Sequence, residues 1–309
     1  MTSYRDDPIP MELSNDRHLP ADFDGPVIVS DIDGTYLETD LSSAAGMLAV
    51  PFEFAIDKVA VPGAVPLLQG LRHGLGQRSS LHPLYFVSAS PPQLRRVIER
   101  KMILDGVEFD GIAFKDQVRM VLARRFRQLT HQVGYKLAAL IRYRTILPPK
   151  ARWTLFGDDL ESDGDIFALF SEVCAGLRGA GLVARLQTLG TAAPVAQFVA
   201  RLADGLPSGD PIEAVHIRLA RRAGARSWLS GPRDLPAMDG RLTAAPDYLQ
   251  HALVLHRRGR LAPHIVRQVA REIQRAGLAL ADVLRDARTT FDVDPTLLAD
   301  LGDTHPVCK

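Results

Sequence analysis

The chain of 309 residues is 46% hydrophobic and 24% charged, which excludes disorder throughout and supplies apolar material for one large domain or two smaller ones. A formal net charge of +1 argues against the global electrostatic footprint of a nucleic-acid binder, so no nucleic-acid partner is expected. Two cysteines, Cys174 and Cys308, lack the spacing of a zinc site or a disulfide framework, and no apolar window is long enough for a transmembrane segment. The expectation is a cytoplasmic protein, in solution or peripheral to a membrane.

Residues 1–20 have prolines at 8, 10 and 20, little periodicity and no signal-peptide core, and they predict a flexible lead-in. Next comes Val27-Ile28-Val29-Ser30, a β-branched run suited to the centre of a parallel sheet, which ends abruptly in Asp31-Ile32-Asp33-Gly34-Thr35. Alternation places Asp31 and Asp33 on one side of the extended chain; Gly34 relaxes the backbone, and Thr35 offers a hydroxyl and an N–H to an anion. At an effective dielectric near 20, like charges about 4 Å apart repel by roughly 4 kcal/mol, so the pair calls for a cation, a proton or a basic side chain. Alone, these nine residues fit an Asp-Gly turn as well as they fit a site.

Leu41 to Ile56 is weakly patterned, Val61-Pro62-Gly63 introduces a helix within Val59–Leu71, and Gly70 to His82 reads as a loop. Leu84–Val87 predicts a second strand, ending at Ser88-Ala89-Ser90-Pro91-Pro92 before a helix from Gln93 to Leu104. Phe109–Phe114 predicts a third strand that closes at Lys115-Asp116. From Val118 to Leu147 the pattern is helical, broken near Gly134, with Lys136 opening the second helix. Trp153–Phe156 predicts a fourth strand, followed at once by the second acidic cluster, Gly157-Asp158-Asp159-Leu160-Glu161-Ser162-Asp163.

Alanine-rich helical sequence from Ile166 to Ala203 leads to a fifth strand, Ile212–Leu219. Trp228 and Leu229 suggest one more edge strand, and Tyr248–His256 a helix. Pro263–Leu301 is helical by period, with Ile265, Val266, Val269 and Ile273 on one face and Arg267, Arg271 and Arg275 on the other. Strands alternating with helices predict an α/β fold with a doubly wound, Rossmann-like parallel sheet. The expected organisation is the lead-in 1–20, this domain over 21–262 with a helical insertion at about 172–207, and a C-terminal helical extension over 263–309. Neither the Asp33–Ser88 stretch nor the Ser88–Lys136 stretch leaves room for a large cap domain, so an open cleft is expected.

Four elements in this order, an Asp-x-Asp-Gly-Thr strand end, a Ser strand end, a helical Lys and a Gly-Asp-Asp-x-x-x-Asp strand end, resemble the haloacid dehalogenase (HAD) phosphohydrolase superfamily. Within it the chain most resembles the phosphatidate phosphatase catalytic-domain family of the fungal actin-patch type. The likeness is carried by Asp31-Ile32-Asp33 with Thr35 and Thr39, Val61-Pro62-Gly63 and Tyr85-Phe86-Val87-Ser88-Ala89-Ser90-Pro91 with Gln93-Leu94. It continues through Lys115-Asp116, Tyr135-Lys136-Leu137, Gly157-Asp158 with Asp163, and Ala214–Arg218, spanning roughly residues 25 to 260. Gly34 stands where that family usually has another Asp, and Pro92 where an aromatic is usual.

The resemblance implies a phosphoric monoester hydrolase that uses Mg²⁺. Asp31 would be the nucleophile that forms an aspartyl-phosphate, and Asp33 the general acid/base. Asp31, Asp158 and the carbonyl of Asp33 would hold the metal with help from Asp163, while Ser88, the amide of Ala89, Thr35 and Lys136 would bind the phosphoryl oxygens. A lipid phosphate such as phosphatidate, met at an interface, is the implied substrate. The alternatives are soluble or nucleic-acid phosphate esters, and a non-catalytic phosphate-responsive module. Asp33 argues against the last, since a receiver needs no Asp two residues beyond its phosphorylated one. Lys115, Asp116, His216 and Arg218 lie near strand ends and could line the pocket, with salt bridges as the first explanation for them, and Asp159 is a further member of the second acidic cluster.

Overall fold

The structure is a computed structural model and describes residues 2–4, 7–38, 58–75, 81–90, 94–115, 132–220, 236 and 238–302. In chain order the first half holds β1 (Thr2–Tyr4), β2 (Met11–Leu13), β3 (Pro26–Asp31), α1 (Ala64–His73), β4 (Leu84–Ser88), α2 (Arg95–Leu104), β5 (Gly111–Lys115) and α3 (Val133–Ile146). The second half holds β6 (Arg152–Asp158), α4 (Asp163–Cys174), α5 (Gly179–Thr188), α6 (Ala193–Ala203), β7 (Ile212–Arg218) and β8 (Leu242–Ala245). Four helices close the described chain: α7 (Tyr248–Arg257), α8 (Pro263–Arg275), α9 (Leu280–Thr290) and α10 (Pro295–Gly302).

All eight strands form one sheet in the order β1-β2-β5-β4-β3-β6-β7-β8. From β5 to β8 every neighbouring pair is parallel. From β3 the chain winds outward through β4 and β5, then returns to the other side of β3 for β6, β7 and β8. This is the doubly wound order of dinucleotide-binding folds, and its switch point lies between β3 and β6, where open α/β sheets place their ligands.

The apolar run of β3 is buried on both faces, as its unalternating sequence requires. Val27 and Val29 point into a core shared with α3, α4 and α6, while Ile28 joins the core under α1, α7 and α8. Helix α3 is buried nearly all round because it crosses the sheet centre beneath α4 and α6, so it has no polar face to advertise its register. Helix α8 is the opposite case: Val266, Val269 and Ile273 are buried, and Arg271 and Arg275 face solvent.

Several expectations change here. Residues 1–20 are not a free lead-in: β1 and β2 add an antiparallel edge to β5, and Ile9, Met11 and Leu13 are core residues. Gly70 lies inside α1 rather than in a loop, and a Cβ there would come within 2.5 Å of Ile265 Cγ2; the missing side chain lets α8 lie against α1. Within the expected 172–207 insertion, α5 pairs with α6 and α6 packs on α3, completing the β6-to-β7 crossover. The expected helix start near Gly134 is found: α3 begins at Val133 and carries Lys136 in its first turn. Trp228, Leu229, Thr39, Pro91–Gln93 and Asp116 lie outside the described residues, among which the outer strand is Leu242–Ala245.

Between Asp33 and β4 the described residues hold only α1, and between β4 and α3 only α2 and β5; 39–57, 76–80, 91–93 and 116–131 lie outside them. Among the described residues, no helix is long and apolar enough to cross a membrane.

Candidate active site

Asp31 ends β3, Ser88 ends β4 and Asp158 ends β6, so three of the sequence-selected side chains reach the same carboxyl edge because their strands are parallel. Lys136 comes to that edge from the first turn of α3. Its ammonium is 2.7 Å from Asp31 Oδ1, 2.5 Å from Glu161 Oε2 and 2.5 Å from Asp163 Oδ1. Asp31 and Lys136 are 3% and 2% exposed, and Asp158 and Asp163 are fully buried. Such a density of charge away from water is sustained only by mutual compensation.

The proton equilibria follow. Burial pushes the Asp31 carboxyl well above its usual range, and Asp163, Glu161 and Asp158 add to the rise against the opposing Lys136. Burial alone would lower Lys136, but Asp163, Asp31 and Glu161 together hold its ammonium firmly protonated. Asp158 is raised by burial and then by Asp163 and Glu161. Asp33, half-buried beyond the strand end, is raised by loss of hydration and by Glu161, with Ser90 and Ser88 pulling the other way.

Asp33 Oδ2 accepts hydrogen bonds from Ser90 Oγ at 2.6 Å and Ser88 Oγ at 3.2 Å. Ser88 Oγ in turn accepts the Ser90 amide at 3.0 Å, and Ala89 is buried between the two serines. Thr35 Oγ1 donates to Asp158 Oδ2 at 3.3 Å, while Asp158 Oδ1 caps the next loop by accepting the Leu160 and Glu161 amides. Asp163 Oδ2 accepts the Asp158 amide at 3.2 Å. Asp31 Oδ2 is buried with no hydrogen-bond partner among the described residues, on a carboxylate whose other oxygen faces Lys136.

The carboxylates of Asp31, Glu161 and Asp163 bring ligand oxygens within 4.8 Å of one another and can hold a metal ion. Three hard oxygen donors share one ammonium, so negative charge exceeds positive, and the set suits Mg²⁺ or a similar cation better than a soft metal. Asp158, also selected from the sequence as a ligand, is not one of these three; its Oδ1 accepts the Leu160 and Glu161 amides and its Oδ2 the Thr35 hydroxyl, while Asp33 was selected for its backbone carbonyl, which lies outside a group of carboxylates. Glu161 was not selected. Its only signal was its place in the loop between Asp158 and Asp163, where α4 begins.

Gly34 has φ +80°, and a Cβ on it would meet Asp158 Oδ2 at 2.5 Å. A side chain at this position would therefore push the two acidic loops apart. Gly34→Ala is expected to destabilise the fold by about 1–2 kcal/mol from backbone strain alone, read as a lower midpoint in chemical denaturation with unchanged slope.

The weaker positions have structural partners. Burial pushes the Lys115 ammonium down to about 8. His216 stacks on Phe156 and its Nδ1 lies 3.1 Å from Nδ1 of His251, with burial keeping both rings neutral and bringing His251 to about 4. The Asp159 carboxylate accepts the Ala220 amide. Among the arginines, Arg95 pairs with Glu99, Arg257 with Asp292 and Arg260 with Glu213.

The family model described as phosphatidate phosphatase APP1, catalytic domain, matches residues 26–176. This segment belongs to that family. It runs from β3 to the end of α4, and so contains Asp31, Asp33, Ser88, Lys136, Asp158, Glu161 and Asp163. The chain is accordingly a phosphoric monoester hydrolase. The phosphatidate phosphatase match stops before β7, β8 and α7, which complete the sheet and its upper layer. No curated protein and no solved structure gives a significant match.

Proposed function

We propose that the chain hydrolyses phosphatidate, or a closely similar lipid phosphate, through an aspartyl-phosphate on Asp31 in a Mg²⁺-dependent reaction of HAD type. The observation that carries this reading is Asp31 itself: a buried carboxylate at the sheet's switch point with one oxygen against Lys136 and the other without a partner among the described residues. A weak nucleophile needs orientation and a desolvated setting, and this carboxylate has both.

Asp31 Oδ2 attacks phosphorus while the Lys136 ammonium fixes Oδ1 and presents positive charge to the transferring group. Asp33, held by Ser88 and Ser90, protonates the leaving oxygen and later takes a proton from the hydrolytic water. When phosphate arrives, the Ser88 hydroxyl, the Ala89 amide and Thr35 are placed to turn toward its oxygens. Asp31, Glu161 and Asp163 would hold Mg²⁺, with Asp158 fixing the loop that carries the last two. The cation would supply charge neutralisation for the phosphoryl group.

The lipid assignment rests on the matched family's name and on the absence of any capping element among the described residues. Turnover of a panel of phosphate esters, with and without Mg²⁺, tests it. Phosphatidate in anionic mixed micelles should give a higher kcat/KM than sugar phosphates, declining with salt. Equal turnover of sugar phosphates would remove the lipid assignment and leave the phosphatase; full activity in excess chelator would remove the metal. Mg²⁺ should also raise the melting temperature, because the carboxylates are assembled only in the folded chain.

A further inference from the structure

The turn after Asp33 is held from outside the family-matched segment. Its own amides are satisfied locally: Gly34 N–H donates to Leu37 O at 2.8 Å and Thr35 N–H to Ile32 O at 3.3 Å. Its carbonyls point away, and two consecutive ones meet side chains from the far end of the sequence. Arg218 Nη1 donates to Gly34 O at 2.7 Å, and the Tyr248 hydroxyl donates to Thr35 O at 2.8 Å.

Both donors are firmly placed. Arg218 ends β7 in register with Asp158, its carbonyl accepts the Asp159 amide at 3.1 Å, and the Ala220 amide reaches Asp159 Oδ1 at 2.7 Å. One residue therefore braces both acidic loops, the 33–35 turn through its guanidinium and the 158–163 loop through its backbone. Tyr248 opens α7, is 3% exposed and packs its ring against His251, which in turn meets His216 of β7. The phenol is thus aimed by contacts between α7 and β7. The peptide planes beside Gly34 are the ones freest to rotate, so they are where outside anchors matter most.

We propose that Arg218 and Tyr248 are positioning residues. By fixing the Gly34 and Thr35 carbonyls they set the direction of the Asp33 carboxylate and of the Thr35 hydroxyl and amide. This rests on reading Asp31 and Asp33 as the reacting carboxylates. It extends the functional unit beyond residue 176 to β7 and α7, so the matched segment lacks part of what aligns its own site.

Tyr248→Phe in the full chain removes one hydroxyl and keeps the ring packing; Arg218→Met is the second variant. Amide exchange of the 32–37 turn should speed up in both. With a phosphate monoester that the wild type hydrolyses, kcat should fall roughly 10- to 100-fold, as expected for slight misplacement of reacting groups, with KM within about twofold. Arg218→Lys should recover part of the loss, since a donor remains. Unchanged exchange in the turn would overturn the proposal. So would wild-type kcat, or a loss of activity that merely follows a loss of folded protein. If the wild type turns over no phosphate monoester, the phosphatase reading fails, and the exchange measurement alone still decides whether these two residues hold the turn.

Discussion

Asp31→Asn is expected to lower turnover by at least roughly 10⁴-fold and to leave no trappable phosphoenzyme, as removal of a nucleophile does elsewhere. The amide keeps the shape of the carboxylate and can still offer an oxygen to Lys136, so the geometry survives while the attacking anion is lost. Stability should move the other way. Burial and three neighbouring carboxylates all raise the Asp31 carboxyl, which means that its charged form is disfavoured where it sits. A neutral amide removes that cost while Lys136 retains Asp163 and Glu161, so the melting temperature should hold or rise, as when a strained active site is relaxed. Asp33→Asn makes the contrast, with slowed turnover and substrate binding largely kept. Wild-type turnover in Asp31→Asn would overturn the nucleophile assignment, and a large drop in melting temperature would make any lost activity uninformative.

The parts of this fold that could be read in the sequence are those where one physical demand dominates. A strand buried on both faces must be largely apolar, and Val27–Val29, Leu84–Val87 and Trp153–Phe156 are, Thr154 apart; a polar turn then marks where each leaves the sheet. The edges carry weaker demands. Three-residue strands such as Thr2–Tyr4 and Met11–Leu13 are too short to show alternation, and β8 is Leu-Thr-Ala-Ala, with Thr243 the one residue that favours strands. The site divides in the same way. Asp31, Asp158 and Lys136 stand at positions that the topology brings together, whereas Glu161 is one acidic residue among several in its loop, and only coordinates single it out. Arg218 and Tyr248 act on backbone carbonyls, which every residue possesses, so no spacing or residue type could have linked them to the 33–35 turn.

Lys136 is the residue whose loss should cost the fold most. Its ammonium is the positive partner that Asp31, Glu161 and Asp163 share, and it is 2% exposed. Lys136→Met keeps the aliphatic length in the first turn of α3 but leaves three carboxylates facing one another. Removing one member of a buried ion pair destabilises by about 3–5 kcal/mol, because the orphaned charges cannot reach water. Part of that should be recovered by protonation, so the variant should be relatively less impaired at acid pH, where the carboxylates are neutral. A divalent cation offers the other route. If Asp31, Glu161 and Asp163 hold Mg²⁺, the cation takes over the neutralisation that the ammonium provided, and the gain in melting temperature on adding Mg²⁺ should be larger in Lys136→Met than in the wild type. Turnover should stay low even when Mg²⁺ restores folding, since the charge fixed beside Asp31 Oδ1 is still missing; a fall of roughly 10²–10³ in kcat is the scale for losing one such stabilising group. Thermal melts of both proteins across a Mg²⁺ titration, paired with kcat at saturating Mg²⁺, separate the two roles. A variant as stable as the wild type without metal would mean that the carboxylates are not charged together, and would remove the electrostatic account of the site.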